Sequence, residues 1–331
     1  MTNPYISFVI SSRNDEYILD QEDLVLDSLD NLISQIDKYK FFAEIIFIEW
    51  NPPHDKKKYK DILVNLKNST FVKFKLISVN NKYHSSLLGS KYFLMSGERA
   101  ANVGIQNANG KFIIIKAHDT YYSELFFKIL SREKLQLKKI NLIERHTIER
   151  KLVNETLANI TYNQKLMPKR KRAGKLFPYS LRSIGESLIL EKKYWHKFRG
   201  YKETNYAATL GLDGDIFYHA YAYGLKVNIL DERKNFILKP QHHKMFTLSV
   251  NEQISLKDKY FLQKLFFLLK HDKVYRGKVN LGRKSVFFFR LVIIRYFKFF
   301  YVFKNKLWGL KGYEFSNKEI LSNKIEYGEI N

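Results

Sequence analysis

The sequence predicts an α/β fold: a doubly wound, mixed and mostly parallel sheet, followed by a helical, basic-aromatic C-terminal extension. Three observations carry that expectation. Short apolar runs alternate with helical segments in the order β-α-β-α-β over the N-terminal third, as parallel strands joined by helical crossovers do. Those runs end in polar residues: Ser11-Ser12-Arg13-Asn14-Asp15, Glu49-Trp50-Asn51-Pro52-Pro53 and His118-Asp119-Thr120. With 331 residues, 45% of them hydrophobic, the chain can bury a large core and is too apolar to be disordered.

Tyr5 to Ser12 reads as the first strand, and Glu44 to Trp50 as a second, β-branched and aromatic enough for a sheet interior. Between them Leu24, Leu26, Leu29, Leu32, Ile33 and Ile36 recur at helical spacing. Phe71 to Val79 alternates more, as a strand with one wetter face would. Residues 98–110 read as a helix closed by Gly110, with Ala100, Gly104 and Ala108 on one face that a neighbour can approach closely. Lys111 to Ala117 forms a fourth strand, and Thr120 or Ser123 can cap the helix after it.

From Arg132 to Arg182 there are 14 Lys and Arg against 4 Glu, densest in 168–175, which reads as an exposed basic loop. A strand over 185–190, a helix over 212–223 and short edge strands at 227–230 and 236–238 follow. In the last third, 254–270 has a helical pattern. Residues 285–303 are apolar apart from Arg290, Arg295 and Lys298, which fall within an arc of about 140° on a helix. A cationic stripe on an aromatic helix suits the surface of a membrane better than its interior.

A formal charge of +24 favours polyanionic partners: phosphorylated ligands, an anionic membrane surface or nucleic acid. No zinc-finger spacing, RNP-like strand or basic zipper supports the last. The absence of cysteine excludes disulfides, thiolate catalysis and cysteine-bound zinc. The first residues lack a basic, apolar secretory leader, so a cytoplasmic protein is expected, peripheral at the cytosolic face of a membrane.

Several of the polar stops can do chemistry. Asp119, at a strand end beside His118, can hold a divalent cation that bridges a diphosphate, or can cap the next helix. Glu49, Trp50 and Asn51 offer a carboxylate, an aromatic plane and an amide to a nucleobase, or form a simple strand-to-turn transition. Glu203, Asp213 and Asp215 lie near a glycine turn and a helix start, where a carboxylate can serve as general base or as a cap. His242 and His243 can complete a metal site through imidazole. The loop 168–175 can clamp phosphates or stay solvated.

In their order and spacing these segments resemble a GT-A glycosyltransferase of the family 2-like kind, within the nucleotide-diphospho-sugar transferases. The resemblance rests on Ser12-Arg13-Asn14-Asp15, Glu49 to Pro53, Ala101-Asn102-Val103-Gly104 with Ala108-Asn109-Gly110, and Ile113 to Asp119. It continues through Gly185-Glu186, Trp195 and Arg199-Gly200-Tyr201-Lys202-Glu203. It spans about residues 5 to 245, which sets off 1–248 as a GT-A-like domain and 249–331 as a helical region with membrane-surface association.

The resemblance implies a nucleotide-diphosphate sugar donor, with Arg13, Asn14 and Glu49 near base and ribose, Asn102 lining the pocket, and His118 and Asp119 at the diphosphate. It implies Mn or Mg held by Asp119, with His118 or the pair His242 and His243 as further ligands, or else a diphosphate neutralised by Lys and Arg without tight metal binding. Glu186, Glu203 and Asp213 face a polysaccharide, glycolipid or lipid-linked acceptor, with Asp213 as base of an inverting transfer. The family's D-x-D position reads Ala117-His118-Asp119, one carboxylate short. A non-catalytic sugar-nucleotide binder, a nucleotidyltransferase of the same fold and a basic nucleic-acid-binding protein are the alternatives.

Overall fold

A computed structural model describes residues 3–15, 20–150, 153, 188–201, 203, 207, 216, 220, 223–230, 235–240, 308–311, 314–321 and 324–330. Four parallel strands form its centre: β1 (Ile6–Ser12), β2 (Ala43–Trp50), β3 (Val72–Val79) and β4 (Phe112–Ala117). Each lies within two residues of its predicted bounds. β1 pairs with both β2 and β4, Ser12 opposite Glu49 and Ser11 opposite Ala117, so the polar stops line one edge of the sheet.

Helix α1 (Gln21–Tyr39) covers one face. Its Leu24, Val25, Leu29, Leu32, Ile33 and Ile36 are buried, and all but Leu24 cluster with Phe8, Ile10, Ile45 and Phe47 of the sheet. After β2 come a short α2 (Tyr59–Ile62), a 3-10 turn (Leu63–Asn65) and, beyond β3, α3 (Asn81–Ser85). α4 (Gly97–Asn107) covers the opposite face through Ala100, Ala101, Val103 and Ile105, which join Val9, Ile46 and Ile48. Alternate residues of a strand point to opposite faces, so β1 supplies Phe8 and Ile10 to one core and Val9 to the other.

The small-residue face of α4 is explained by Val9: a Cβ at Gly104 would collide with its side chain. Gly110 does not close that helix. The C-cap is Ala108, and Gly110 instead lies against β1, where a Cβ would stand 2.5 Å from the Ser7 nitrogen. Its own N–H donates to Ser7 Oγ at 2.8 Å.

Among the described residues the sheet has nine strands, in the order β11-β12-β3-β2-β1-β4-β8-β6-β9. The added strands are β6 (Lys139–Leu142), β8 (Leu188–Glu191), β9 (Lys226–Ile229), β11 (Lys318–Ile320) and β12 (Glu326–Ile330). β8 runs antiparallel to both β4 and β6, whereas β9 is parallel to β6 and β12 to β3. The expected mixed, mostly parallel sheet is therefore present. β5 (Tyr121–Tyr122), β10 (Phe236–Pro240) and β7 (Glu144–Ile148) make a second, three-stranded sheet with β10 in its centre, where the sequence suggested an edge. Helix α5 (Glu124–Ser131) follows β5, and α6 (Lys192–Phe198) follows β8.

The stretch 249–331 reads as helical, yet its described end is strand: β12 pairs with β3 from Glu326 opposite Lys75 to Ile330 opposite Val79. Tyr327 and Ile330 are buried there, so hydrophobic burial and a free edge on β3 outweigh a local sequence with little strand character. The helical patterns at 254–270 and 285–303 lie outside the described residues. Among the described residues no helix is long and apolar enough to cross a membrane.

Candidate functional site

The strand order 3-2-1-4 has a topological switch between β1 and β4: the chain winds outward from β1 through β2 to β3, then returns to the other side. In open α/β sheets the crevice at the carboxyl ends of such a strand pair is where ligands bind. Arg13 leaves β1 on one side of it, and His118 and Asp119 leave β4 on the other.

Arg13 is held in place from three directions. Its Nε donates to Asn51 O at 2.6 Å, an Nη donates to Asp15 at 2.9 Å, and its carbonyl accepts from Gln21 Nε2 at 2.5 Å. Asn51 can offer its carbonyl because it adopts φ 54°, the left-handed region that asparagine tolerates. Its side chain is equally occupied, donating to Leu94 O at 2.8 Å and accepting from Asn81 at 2.6 Å.

The turn carrying Asp119 is pinned from beneath by a lysine. Lys116 is 1% exposed; its ammonium donates to Ser28 Oγ at 2.6 Å and to Ala117 O at 3.0 Å. Ser28 passes the constraint on by donating to Thr120 O at 3.1 Å, and Thr120 Oγ1 donates back to Ala117 O at 3.0 Å. The carbonyls on both sides of His118-Asp119 are thus fixed by α1 and β4. Asp119 does not cap the next helix, whose N-cap position is Ser123. Ser123 Oγ turns instead to Asn235, 2.8 Å away.

Asp119 is buried, and the small sheet brings Lys239 of β10 to it, Nζ 3.8 Å from Oδ1. Lys239 keeps a quarter of its side chain exposed. Three and four residues beyond it in sequence, His242 and His243 lie outside the described residues, as do Glu186, Asp213, Asp215 and the basic loop 168–175. Among the described residues no three His, Asp or Glu side chains group as a metal site.

Other predicted ligand contacts prove to be internal braces. Glu49 is fully buried, accepting from Tyr59 N at 2.8 Å and Ser78 Oγ at 3.0 Å; burial raises its pKa above the usual carboxylate value. It ties β2 to α2 and β3 and turns neither oxygen to the crevice. Trp50 offers no stacking plane: it is 1% exposed and donates through Nε1 to His84 Nδ1 at 3.0 Å. Burial lowers the His84 pKa, favouring the neutral ring that this acceptor role requires. Asn14 is buried as well, donating to Glu22 at 2.8 Å and Lys57 O at 3.0 Å.

Asn102 and Glu203 form a second cluster, where α4 meets the segment after α6. Asn102 donates to Tyr201 O at 2.8 Å and to Glu203 Oε1 at 2.9 Å, while its Oδ1 accepts from Tyr201 N at 2.7 Å. Glu203 also accepts from Gly309 N at 2.8 Å and stands 3.5 Å from Arg99. Gly200, at φ 63°, makes the turn possible, since a Cβ there would overlap the Asn102 amide. Asn102 is 0% exposed. It clamps three distant segments together rather than lining an open pocket, and Glu203 is committed to the same clamp.

Sequence reasoning missed Lys239, Lys116 and Arg99. The first two had a signal: each is a single cation in an otherwise apolar strand, Phe-Ile-Leu-Lys-Pro and Phe-Ile-Ile-Ile-Lys-Ala. Arg99, three residues before Asn102 on one helix face, had only its spacing.

No protein-family model and no curated protein sequence matches the chain. Among solved structures it is similar to S. aureus TarS 1–349 in complex with UDP-GlcNAc, at 14% identity over 89% of this chain and 73% of that one, with a TM-score of 0.49. The same fragment in complex with UDP gives 12% identity over 88% and 71%, with a TM-score of 0.47. For S. aureus TarS in a longer form, the figures are 13% identity, 89% of this chain and 44% of that one, and 0.45.

Proposed function

We propose that the protein is a GT-A-type glycosyltransferase that moves a sugar from a nucleotide-diphosphate donor to a glycan, glycolipid or lipid-linked acceptor. The observation that carries this reading is the crevice at the β1/β4 switch point, with Arg13 on one side and the pinned His118-Asp119 turn on the other. The order of sequence motifs along residues 5 to 245 supports it.

In an inverting transfer the acceptor hydroxyl oxygen attacks the anomeric carbon, and the bond from that carbon to the diphosphate oxygen breaks. The electron pair leaves with the diphosphate, while a carboxylate takes the hydroxyl proton. Asp213 and Glu186 are the candidates for that base. Glu203 is less suited, since Asn102, Gly309 and Arg99 already occupy its carboxylate. That engagement also favours a non-catalytic sugar-nucleotide binder as the second reading.

The described residues do not by themselves fit a divalent ion at Asp119. Mg²⁺ prefers about six oxygen ligands at about 2.1 Å, and here one buried carboxylate faces an ammonium. Residues 285–303, with their cationic stripe, supply the proposed contact with an anionic membrane surface. Later in the chain, Trp308 O accepts from Gln106 of α4 and Gly309 N donates to Glu203 of the Asn102–Glu203 cluster.

A thermal-shift screen of the full chain against UDP-, GDP-, CDP-, ADP- and dTDP-sugars, with and without Mn²⁺, tests the reading. Stabilisation by one nucleotide, followed by label transfer from its sugar, is expected. Stabilisation without transfer or hydrolysis leaves the non-catalytic binder, and no stabilisation by any of them removes both.

A further inference from the structure

We infer that Lys239, which no motif reading singled out, is the group that meets the donor's diphosphate, and that Asp119 is its buried counter-ion rather than the primary ligand contact. This rests on the reading of the crevice as a nucleotide-diphosphate site. Asp119 is 1% exposed, whereas the Lys239 side chain keeps 25% of its surface. A ligand entering from solvent reaches the ammonium before the carboxylate. Charge points the same way: a diphosphate is repelled by a carboxylate and attracted by an ammonium, and burying Asp119 beside a cation offsets its desolvation.

The fold explains how the lysine arrives. β10 lies between β5 and β7, and β5 is the strand directly after the Asp119 turn, with Tyr121 opposite Leu238. Lys239 is the next residue along β10, so backbone pairing sets its distance from Asp119. Asp119 is fixed in turn by the Lys116–Ser28 pin described above. The result is a cation on a rigid support at the crevice where the family's second carboxylate is missing. In this arrangement Lys239 meets charge on the leaving diphosphate. Arg13, across the crevice, is held by Asn51 and Asp15.

Calorimetric titration of the full chain tests this, using inorganic pyrophosphate and whichever of UDP, GDP, CDP, ADP or dTDP stabilises the wild type most, each in EDTA and in Mn²⁺. The matching nucleoside monophosphate is the control. Lys239→Met is expected to weaken diphosphate binding about 10- to 100-fold in EDTA, the range of one charged hydrogen bond, with monophosphate binding changed less than threefold. Lys239→Arg is expected to restore most of the loss. Asp119→Asn is expected to cost less than Lys239→Met, because the ammonium stays in place. The inference is overturned if Lys239→Met binds the diphosphate as the wild type does. It is also overturned if EDTA abolishes wild-type binding and Asp119→Asn does the same. A wild type that binds no nucleoside diphosphate removes the functional reading together with this inference; the other two outcomes remove this inference alone.

Discussion

Replacing Asn102 separates a structural role for this residue from a ligand-binding one. The Asn102→Ala change removes three hydrogen bonds, two to the backbone of Tyr201 and one to Glu203. Tyr201 is 3% exposed, so its N–H and C=O would lose these partners where water does not readily replace them. Each such group costs about 1–3 kcal/mol, and the weakened hold on Glu203 adds about 1 more. The expected loss is about 3–7 kcal/mol, a large share of the ~5–15 kcal/mol that holds a typical domain together. Asn102→Asp should be at least as damaging, because a carboxylate oxygen would then face both Tyr201 O and the Glu203 carboxylate. Urea unfolding followed by tryptophan fluorescence measures both, since Trp195 and Trp308 lie in the core that this cluster closes. A loss below about 1 kcal/mol in Asn102→Ala, with nucleotide binding abolished, would refute the clamp and return Asn102 to the donor pocket.

Glu49 has a raised carboxyl pKa from burial, so it favours folding below the ordinary glutamate pKa and loses that contribution as pH rises through the folded value. Glu49→Gln should therefore be as stable as the wild type or more so at pH 7. Its advantage should shrink toward pH 4, as thermal melts across that range would read. Glu44 is the opposite case: burial pushes its pKa up, but hydrogen bonds from Asn109 and Ser7 and the nearby Lys75 outweigh that and hold it low. Its stabilisation holds above the ordinary glutamate pKa and is lost as pH falls through the folded value, so Glu44→Gln should cost most at neutral pH and least in acid. Gly110→Ala should cost about 2–3 kcal/mol or more, since its Cβ would press on backbone 2.5 Å away that no side chain can yield; chemical denaturation reads this directly. Lys116→Met should fold, as buried ions often exchange for apolar groups at little cost, yet speed hydrogen exchange in a peptide spanning 117–122. Unchanged exchange there would show that the pin does not hold the turn.

Much of the sheet was legible because its central strands are continuous apolar runs and α1 has a clean helical stripe. Ile45, Ile46, Phe47 and Ile48 are all fully buried, and such runs announce themselves. β6 and β7 were hidden by the cations around them, and β5 is only two residues long. β12, Glu-Tyr-Gly-Glu-Ile, takes its strand state from a partner that no local window contains. At the candidate site the sequence marked which polar residues end the strands but not the direction in which each side chain spends its hydrogen bonds. Glu49, Trp50, Asn14 and Asn102 read as ligand groups, and all four face other parts of the protein. Residue type reports what a group can bind; only packing decides which partner it meets.

The pairing of β12 with β3 also sets a schedule for synthesis. Ile330 sits opposite Val79, so the open edge of β3 must wait for 251 more residues before its partner exists. At about 5–20 residues per second on the ribosome, that interval is about 12–50 s, far longer than a hairpin needs to form. Through it, Leu76, Ile77 and Val79 belong to a strand with one row of backbone groups unanswered. The nascent chain is most exposed to wrong pairing along that edge, and a chaperone or a slow, late-docking step in refolding should act there first.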